Sequence, residues 1–505
     1  MVESRLKNSV RNIIYRLVSQ LASILLKFVS RSIFIYVLGV EYLGINGLFS
    51  EILQMLSLAD LGFGTAMVFS MYKPLAEHDE KKLAQLVKLY KKIYKVIAIA
   101  ITLIGVGLLP FLKYLVNLDQ AIPHIKIYYL LYLANTVSSY LVVYKTCILN
   151  ADQKNYLVSK YNTIFNFASM IMTSLFLIIT HNFMVYLIIQ VLFTYLNNFY
   201  VSHKAEVMYP YINKKVEDLP KEESKNIFDN VKSVFIYKMA NTLVGSTDNT
   251  LISVIVGTVT VGLYSNYSML ISNITMFINI IFSSVTASIG NMVIETNKQK
   301  NYKVYSIMQF VSFMLTAIVI SSTYSVINDF IMVWVGEKFV LSHFITIAII
   351  LNMYFSVVLM PIWSYREATG MYLQTKYIMV LTAVVNLVLS IILGRCIGLA
   401  GILLATSIAK LTTYFWYEPK LLFNQFFGEK VHIYYISILK NICITIIVTF
   451  ISSLLVKNII VTGWITLFVK ALCVFLCSTL LASIFYCKNE NFKKVKMVIK
   501  NVINR

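Results

Sequence analysis

Apolar residues run along this chain in long stretches separated by short polar breaks, and the stretches are too long for strands or for helices buried in a soluble core. They predict helical spans near 12–38, 43–71, 90–115, 123–149, 156–180, 182–202, 230–256, 260–292, 304–334, 341–364, 374–394, 397–417, 434–456 and 461–486. Breakers such as VNLD at 116–119 and THN at 180–182 close individual runs. The pattern predicts an all-α polytopic membrane protein of about 14 transmembrane helices. The longest polar interruption follows the sixth span, at 209–230, is charged, and carries Pro210 and Pro220, so it reads as a linker. The expected organisation is an N-terminal six-helix lobe over 1–208, a cytoplasmic linker over 209–229 and a C-terminal six-helix lobe over 230–425. An additional two-helix hairpin over 426–487 and a basic cytoplasmic tail over 488–505 complete it.

The two halves resemble each other. An offset of 218 residues carries GVEYLG at 39–44 onto GTVTVG at 257–262, Glu77 onto Glu295 and Lys82 onto Lys300, without a gap. The first and seventh spans both enter from the same side, so the lobes are expected to form a parallel pseudo-repeat rather than an inverted one. The register runs through polar positions, which separates it from chance likeness between apolar helices.

Composition agrees with lipid as the solvent. Charged residues make up 13% of the 505, hydrophobic residues 58%, and mean hydropathy is +0.73. Soluble domains carry about 25% charged residues. A net charge of +21 would suggest nucleic acid in a soluble protein. Here it sorts by loop, and no nucleic-acid partner is expected. Alternate segments hold Lys73, Lys81, Lys82, Lys88, Lys91 and Lys92, then Lys145, Lys154 and Lys160. Lys204, Lys214, Lys215, Lys221, Lys225 and Lys232 follow, then Lys298, Lys300 and Lys303, and further groups from Arg366 to the tail. The opposite side offers Lys113, Lys126, Lys338, Arg395 and Lys457. That asymmetry predicts an even number of spans with both termini cytoplasmic. Arg5, Lys7 and Arg11 precede an apolar stretch with no small-residue cleavage site, which reads against a signal peptide. The six cysteines are scattered, and neither a disulfide framework nor a metal site is expected.

Apart from the lysines assigned to loops, eight basic residues fall inside predicted spans, where a charge at the centre costs about 2.5–3.5 kcal/mol. Lys95, Lys410 and Lys440 lie near cytoplasmic ends and are expected to snorkel to solvent; Lys470 is ambiguous. The others form stripes. At 100° per residue, Gln20, Lys27 and Arg31 lie at about +40°, +20° and +60° from Arg16 on the first span, with Ser23 and Ser30 on the same face. On the seventh span Lys238 shares a face with Thr242, Gly245 and Asn249, flanked by Asn241 and Asp248, and the repeat aligns Lys238 with Gln20. The second span adds Asn46, Ser50, Gln54 and Ser57. Such faces must look toward protein or a water-filled cavity. Glu51, Asp60 and Asp248 are read as the acids within spans, too few to pair every base, so an anion-facing cavity competes with a set of structural ion pairs. Arg16, Lys27, Arg31 and Lys238 are the candidate cationic wall, Gln20, Gln54, Asn241 and Asn249 its polar lining, and Asp60, Asp248 and Glu51 candidates for ion coupling or pairing. Phosphate or diphosphate suits Arg and Lys.

No Walker A sequence, His-Glu-x-x-His or nucleophile elbow is present, no cofactor is implied, and the chain is not expected to be an enzyme. Several short motifs instead resemble the oligosaccharide (polysaccharide) flippases, the Wzx-type members of the MATE/MOP transporter superfamily. They are YVLGVEYLG at 36–44, LSLADLGFG at 56–64, LNADQKNY at 149–156, TDN at 247–249 with Lys238, VGLYSNY at 261–267, and GLAG at 398–401 with Ala405 and Thr406. The resemblance implies two six-helix lobes around a central cavity, alternating access, and movement of polyprenyl-diphosphate-linked oligosaccharide across a bacterial cytoplasmic membrane for surface or exopolysaccharide synthesis. It implies that Lys27, Arg31 and Lys238 face the diphosphate, with Arg16 near the cytoplasmic mouth. It also implies that the last two helices hold part of the polyprenyl tail. Membrane lipid, and the polymerase and glycosyltransferases of the same pathway, are the partners it implies.

Two transporter readings compete. A lipid II flippase of the same superfamily is one; a cation-coupled multidrug exporter is the other, but its cavity calls for acids where this chain has excess base. A membrane polymerase or glycosyltransferase would need a sizeable extracytoplasmic loop, and the longest outside loop, around 329–341, is short and apolar.

Overall fold

The computed structural model describes residues 2–57, 63–118, 122–152, 154–294 and 297–495. Helix α1 (Val2–Leu56) bends at Gly39 and is followed by α2 (Phe63–Ala76), α3 (Glu80–Gly107) and the short α4 (Leu112–Leu115). Next come α5 (Ile125–Tyr140), α6 (Val143–Ala151), α7 (Asn155–Thr180), α8 (Phe183–Met208), α9 (Lys221–Ser246) and α10 (Asp248–Ile255). The second half continues with α11 (Thr258–Ile294), α12 (Lys298–Val335), α13 (His343–Val358), α14 (Met360–Thr369), α15 (Tyr372–Thr412) and α16 (Tyr414–Leu422). The hairpin of α17 (His432–Val456) and α18 (Trp464–Tyr486) closes the order.

Among the described residues, eight helices are long and apolar enough to cross a membrane, and ten if two bent pairs each count as a span. The difference from fourteen has structural reasons. Two of the eight, Ala22–Leu56 and Gln374–Phe427, each join runs that the sequence divides into two spans, because no polar loop separates the runs. The chain turns inside them on glycine: Gly39 has φ 85° and Gly398 φ 61°, a region open to a residue without Cβ. The helices α9–α10 and α11, on the predicted spans near 230–256 and 260–292, fall outside the eight. Along α9 the polar stripe of Lys238, Asn241 and Thr242 dilutes the apolar run.

The repeat holds in three dimensions at the same offset of 218. Gly39 and Gly257 both take positive φ, 85° and 134°. Glu80 and Lys298 each open a helix, capped by Asp79 and Asn297, whose side chains accept from the backbone N–H of Lys82 (2.8 Å) and Lys300 (2.9 Å). Ile125 and His343 each open the first member of a bent pair, and the two pairs bend by 46° and 43°. Thus the duplication fixes breaks, caps and kinks as well as apolar runs.

The chain divides into two compact units, Met1–Thr242 with Gly257–Gly262, and Leu243–Val256 with Leu263–Arg505. In the first, an aromatic cluster of Phe34, Tyr42, Tyr128, Phe183 and Tyr186 packs edge to face at 4.9–5.7 Å for its closest pairs. A reciprocal crossing lies in the same unit. A Cβ on Gly44 would stand 2.1 Å from the Thr258 carbonyl oxygen, and one on Gly262 would stand 2.5 Å from that of Val40. The offset carries Val40 to Thr258 and Gly44 to Gly262, so each repeat presents the same glycine to the same carbonyl of the other. Small residues at such crossings let backbones approach closely.

The segment after α8 is strapped onto α3 in this unit. Asp218 receives Lys88 (2.8 Å) and Lys92 (2.6 Å), Lys214 meets Glu80 at 3.3 Å, and Lys82 pairs with Glu223. The Lys88 ammonium also donates to the Val216 carbonyl at 2.6 Å.

In the second unit, α12, α17 and α18 bury polar groups among apolar ones and turn further apolar side chains outward. Asn441, fully buried, accepts from the Tyr354 hydroxyl (2.7 Å) and donates to the Tyr486 hydroxyl (2.8 Å) and the Phe313 carbonyl (3.2 Å). Ile446, Phe450, Leu472, Leu480 and Ile484 on the same hairpin are exposed. With no water in hydrocarbon, this arrangement satisfies the polar groups and gives lipid an apolar surface.

Candidate functional site

Of the candidate cationic residues, Lys27 is exposed on α1, and Arg31, one turn on, is half-buried beside Tyr186. Between them the Ser174 hydroxyl donates to that of Ser30 at 3.0 Å, fixing α7 against the polar face of α1. The helix carries Arg16 and Gln20 too, but their side chains lie outside the described residues, as does the whole of Asp60. Glu51 is buried, while Gln54 is exposed. Lys238 is half-buried on α9 and Asn241 exposed beside it. The polar face of the second span is in part structural: the Tyr132 hydroxyl donates to Asn46 Oδ1.

In the second unit the structure brings together residues that the sequence kept apart. Asp248, at the start of α10, lies beside Lys410 and Thr406 of α15. Lys410, expected to snorkel to solvent, is half-buried with the Asp248 carboxylate nearby. Asn386 donates to Thr406 Oγ1 at 3.0 Å. The Oδ1 atoms of Asp248, Asn249 and Asn386 and the Oγ of Ser390 are buried without a hydrogen-bond partner.

Two further pairs correct the tally of charges. Lys470 donates to Asp329 at 2.7 Å, and Asp329 lies within α12, not in an outside loop. Arg366, read from the sequence as a loop charge, is 8% exposed and places Nη1 2.9 and 3.1 Å from the two carboxylate oxygens of Glu418, which is 1% exposed. Lys410, Lys470 and Arg366 thus all face acids. Lys27 and Arg31 on α1 and Lys238 on α9 are the candidate basic residues whose side chains are described, and Glu51 is an acid on α1 itself.

A polar cavity went unread in the sequence. About 240 Å³ in volume, it lies in the first unit at the bend between α5 and α6, lined by Ser57, Asn135, Thr136, Ser139, Tyr140, Val143 and Thr194. Ser57 sits on the face singled out for the second span, but Asn135 and Thr194 carry no periodic signal that marks them.

Residues 9–287, more than half the chain, match a protein family described as polysaccharide biosynthesis protein. The chain belongs to that family. No curated protein matches this member of the polysaccharide biosynthesis family. Among solved structures, the lipid II flippase MurJ in an inward closed conformation is similar, at 18% identity and a TM-score of 0.68, over 94% of this chain and 99% of that one. An inward-facing multidrug resistance MATE transporter of the MOP superfamily is similar at 14% identity and a TM-score of 0.54, over 79% and 96%. A MOP superfamily transporter from Pyrococcus furiosus, described as having a binding pocket of reverse polarity, matches at 13% identity and a TM-score of 0.50, over 82% and 94%. At these identities the likeness fixes the fold: this polysaccharide biosynthesis protein is a multi-pass membrane protein with the architecture of the MOP transporters.

Proposed function

We propose that the chain is a flippase that moves polyprenyl-diphosphate-linked oligosaccharide repeat units from the cytoplasmic to the outer leaflet of a bacterial cytoplasmic membrane, by alternating access. The observation that carries this reading is a basic stripe on an apolar helix in a member of a polysaccharide biosynthesis family, with Lys27 and Arg31 one turn apart on α1. Arg16, Lys27, Arg31 and Lys238 are the basic residues that this reading assigns to the headgroup. A dianionic headgroup is the ligand that such residues favour, each charge-assisted bond contributing about 1.5–3 kcal/mol. Membership of a polysaccharide biosynthesis family supports the glycan. In this reading Gln20, Gln54, Asn241 and Asn249 line the path, Glu51 and Asp60 are candidates for coupling, and Asp248 is engaged by Lys410. Both termini are cytoplasmic, as the loop lysines favour, and the polymerase and glycosyltransferases of the pathway act on either side of the step.

A second reading, flipping of lipid II, is favoured by the extent of the MurJ match, 94% of this chain against 79% for the MATE transporter. One experiment separates them. In proteoliposomes, leaflet translocation is measured for a polyprenyl-diphosphate oligosaccharide and for lipid II, with the wild type and with Lys27→Ala, Arg31→Ala and Lys238→Ala. The proposal expects movement of the oligosaccharide carrier and loss of about tenfold or more in each variant. Undiminished rates in all three variants would remove the cationic wall, and movement of lipid II alone would establish the second reading.

A further inference from the structure

The cavity at the α5–α6 bend differs in character from the cationic wall. Among the described residues no charged side chain lines it. Three of its hydroxyls have spent their protons on the carbonyl one turn back: Ser57 donates to the Leu53 carbonyl (2.8 Å), Thr136 to Tyr132 (3.1 Å) and Thr194 to Gln190 (3.0 Å). A hydroxyl has one proton and two lone pairs, so each of these oxygens is left to the cavity as an acceptor. Asn135 Oδ1 is a further acceptor, buried and without a partner. The wall is therefore neutral and rich in acceptors, with the Tyr140 ring and Val143 as its apolar patch.

Such a wall selects its ligand by elimination. An anion meets lone pairs with no cation to balance it. An apolar ligand leaves Asn135 Oδ1 unpaired, at about 1–3 kcal/mol. A small polyol, whose O–H groups are donors and whose ring carbons present an apolar face, satisfies both parts. The volume of about 240 Å³ is below the roughly 300–1,000 Å³ of sites for drug-sized ligands, which suits one sugar ring. We infer that this cavity is a sugar subsite that holds a single pyranose of the transported glycan, separate from the groups that hold the diphosphate. It rests on the flippase reading for its transport role, but not for its affinity for sugar. Ordered water is the rival occupant, since a polar space of this size holds several molecules.

The test uses two variants. Ser139→Leu fills the cavity from an exposed position, and the double variant Thr136→Val, Thr194→Val keeps shape while removing two acceptors. Translocation in proteoliposomes is compared for polyprenyl diphosphate bearing glucose, galactose or N-acetylglucosamine and for the same carrier without sugar. In parallel, thermal unfolding of the purified full chain is followed with each free sugar. The wild type is expected to prefer one sugar, and both variants to lose that preference by roughly tenfold while moving the sugar-free carrier unchanged. The preferred free sugar should raise Tm for the wild type and not for Ser139→Leu. If the wild type moves no carrier but sugar still protects it in this residue-dependent way, the flippase reading fails and the subsite stands. The same preference in wild type and variants, or no protection by any sugar, overturns the subsite and leaves a cavity filled by water.

Discussion

Removing the Glu418 carboxylate should destabilise the protein more than removing the whole ion pair. Arg366 and Glu418 are 8% and 1% exposed, and Nη1 lies 2.9 and 3.1 Å from the two carboxylate oxygens. Glu418→Ala strands a guanidinium in the interior, which costs about 3–5 kcal/mol where one partner of a buried pair is removed. Glu418→Gln keeps shape and one acceptor but loses the charge, and should cost about 1.5–3 kcal/mol, the range for hydrogen bonds to charged groups. The double replacement Arg366→Met, Glu418→Leu removes both desolvation penalties. It should fall within about 1 kcal/mol of the wild type or exceed it, less about 0.5–1 kcal/mol for the contact of Arg366 with the Trp363 ring, 5.9 Å away. Reversible unfolding in detergent micelles, run as a double-mutant cycle, measures all four states. A cost below about 1 kcal/mol for Glu418→Ala, or a double variant as unstable as the sum of the singles, would refute the reasoning.

Gly44→Ala and Gly262→Ala should each lower stability by at least the 1–3 kcal/mol typical of overpacking, since the new methyl meets backbone carbonyls at 2.1 and 2.5 Å, which cannot rotate away; an unchanged unfolding midpoint for either would contradict the close crossing. The strap on α3 should be sensitive to acid. Lys88 and Lys92 hold the Asp218 carboxyl down to about 2. A depressed carboxylate contributes stability that is complete above its unfolded value of about 4 and disappears as pH falls toward 2. Hydrogen exchange of 209–225 should therefore be flat from pH 5 to 8, once corrected for intrinsic rates, and Asp218→Asn should raise it at pH 7. Because the pair is exposed, salt should do the same, and exchange indifferent to both would dismiss the strap.

Helical class and repeat were legible in the sequence because lipid and gene duplication both act through local pattern. Hydrophobic runs set the spans, and the 218-residue offset located Gly39 and Gly257, two of the positive-φ breaks. The same offset extends to the caps Asp79 and Asn297, one polar position among several that the pattern left unremarked. What escaped is what the chain assembles from distant segments. Glu418 is 52 residues from Arg366, and Asp329 is 141 from Lys470. Arg366 looked like a loop charge and Lys470 was ambiguous until each partner was placed beside it. The span count escaped for the opposite reason: at Gly39 and Gly398 the chain turns with no polar loop to announce it. The cavity was silent because Ser57, Asn135 and Thr194 come from three helices, and none departs from what a membrane helix ordinarily carries.

The crossing of Gly44 on Thr258 and Gly262 on Val40 has the logic of an isologous dimer interface, in which one patch recognises its own copy. In a homodimer of an unduplicated half, that surface would be encoded once, so any substitution would strike both sides of the contact together. Fusion into one chain separates the two copies genetically while they continue to face each other. Each glycine is then answerable only to the carbonyl it touches, and the two sides are free to accumulate changes one at a time. The flanking residues already record that freedom: Glu41 and Tyr42 occupy the first copy where Val259 and Thr260 occupy the second, around a pair of glycines that have not moved.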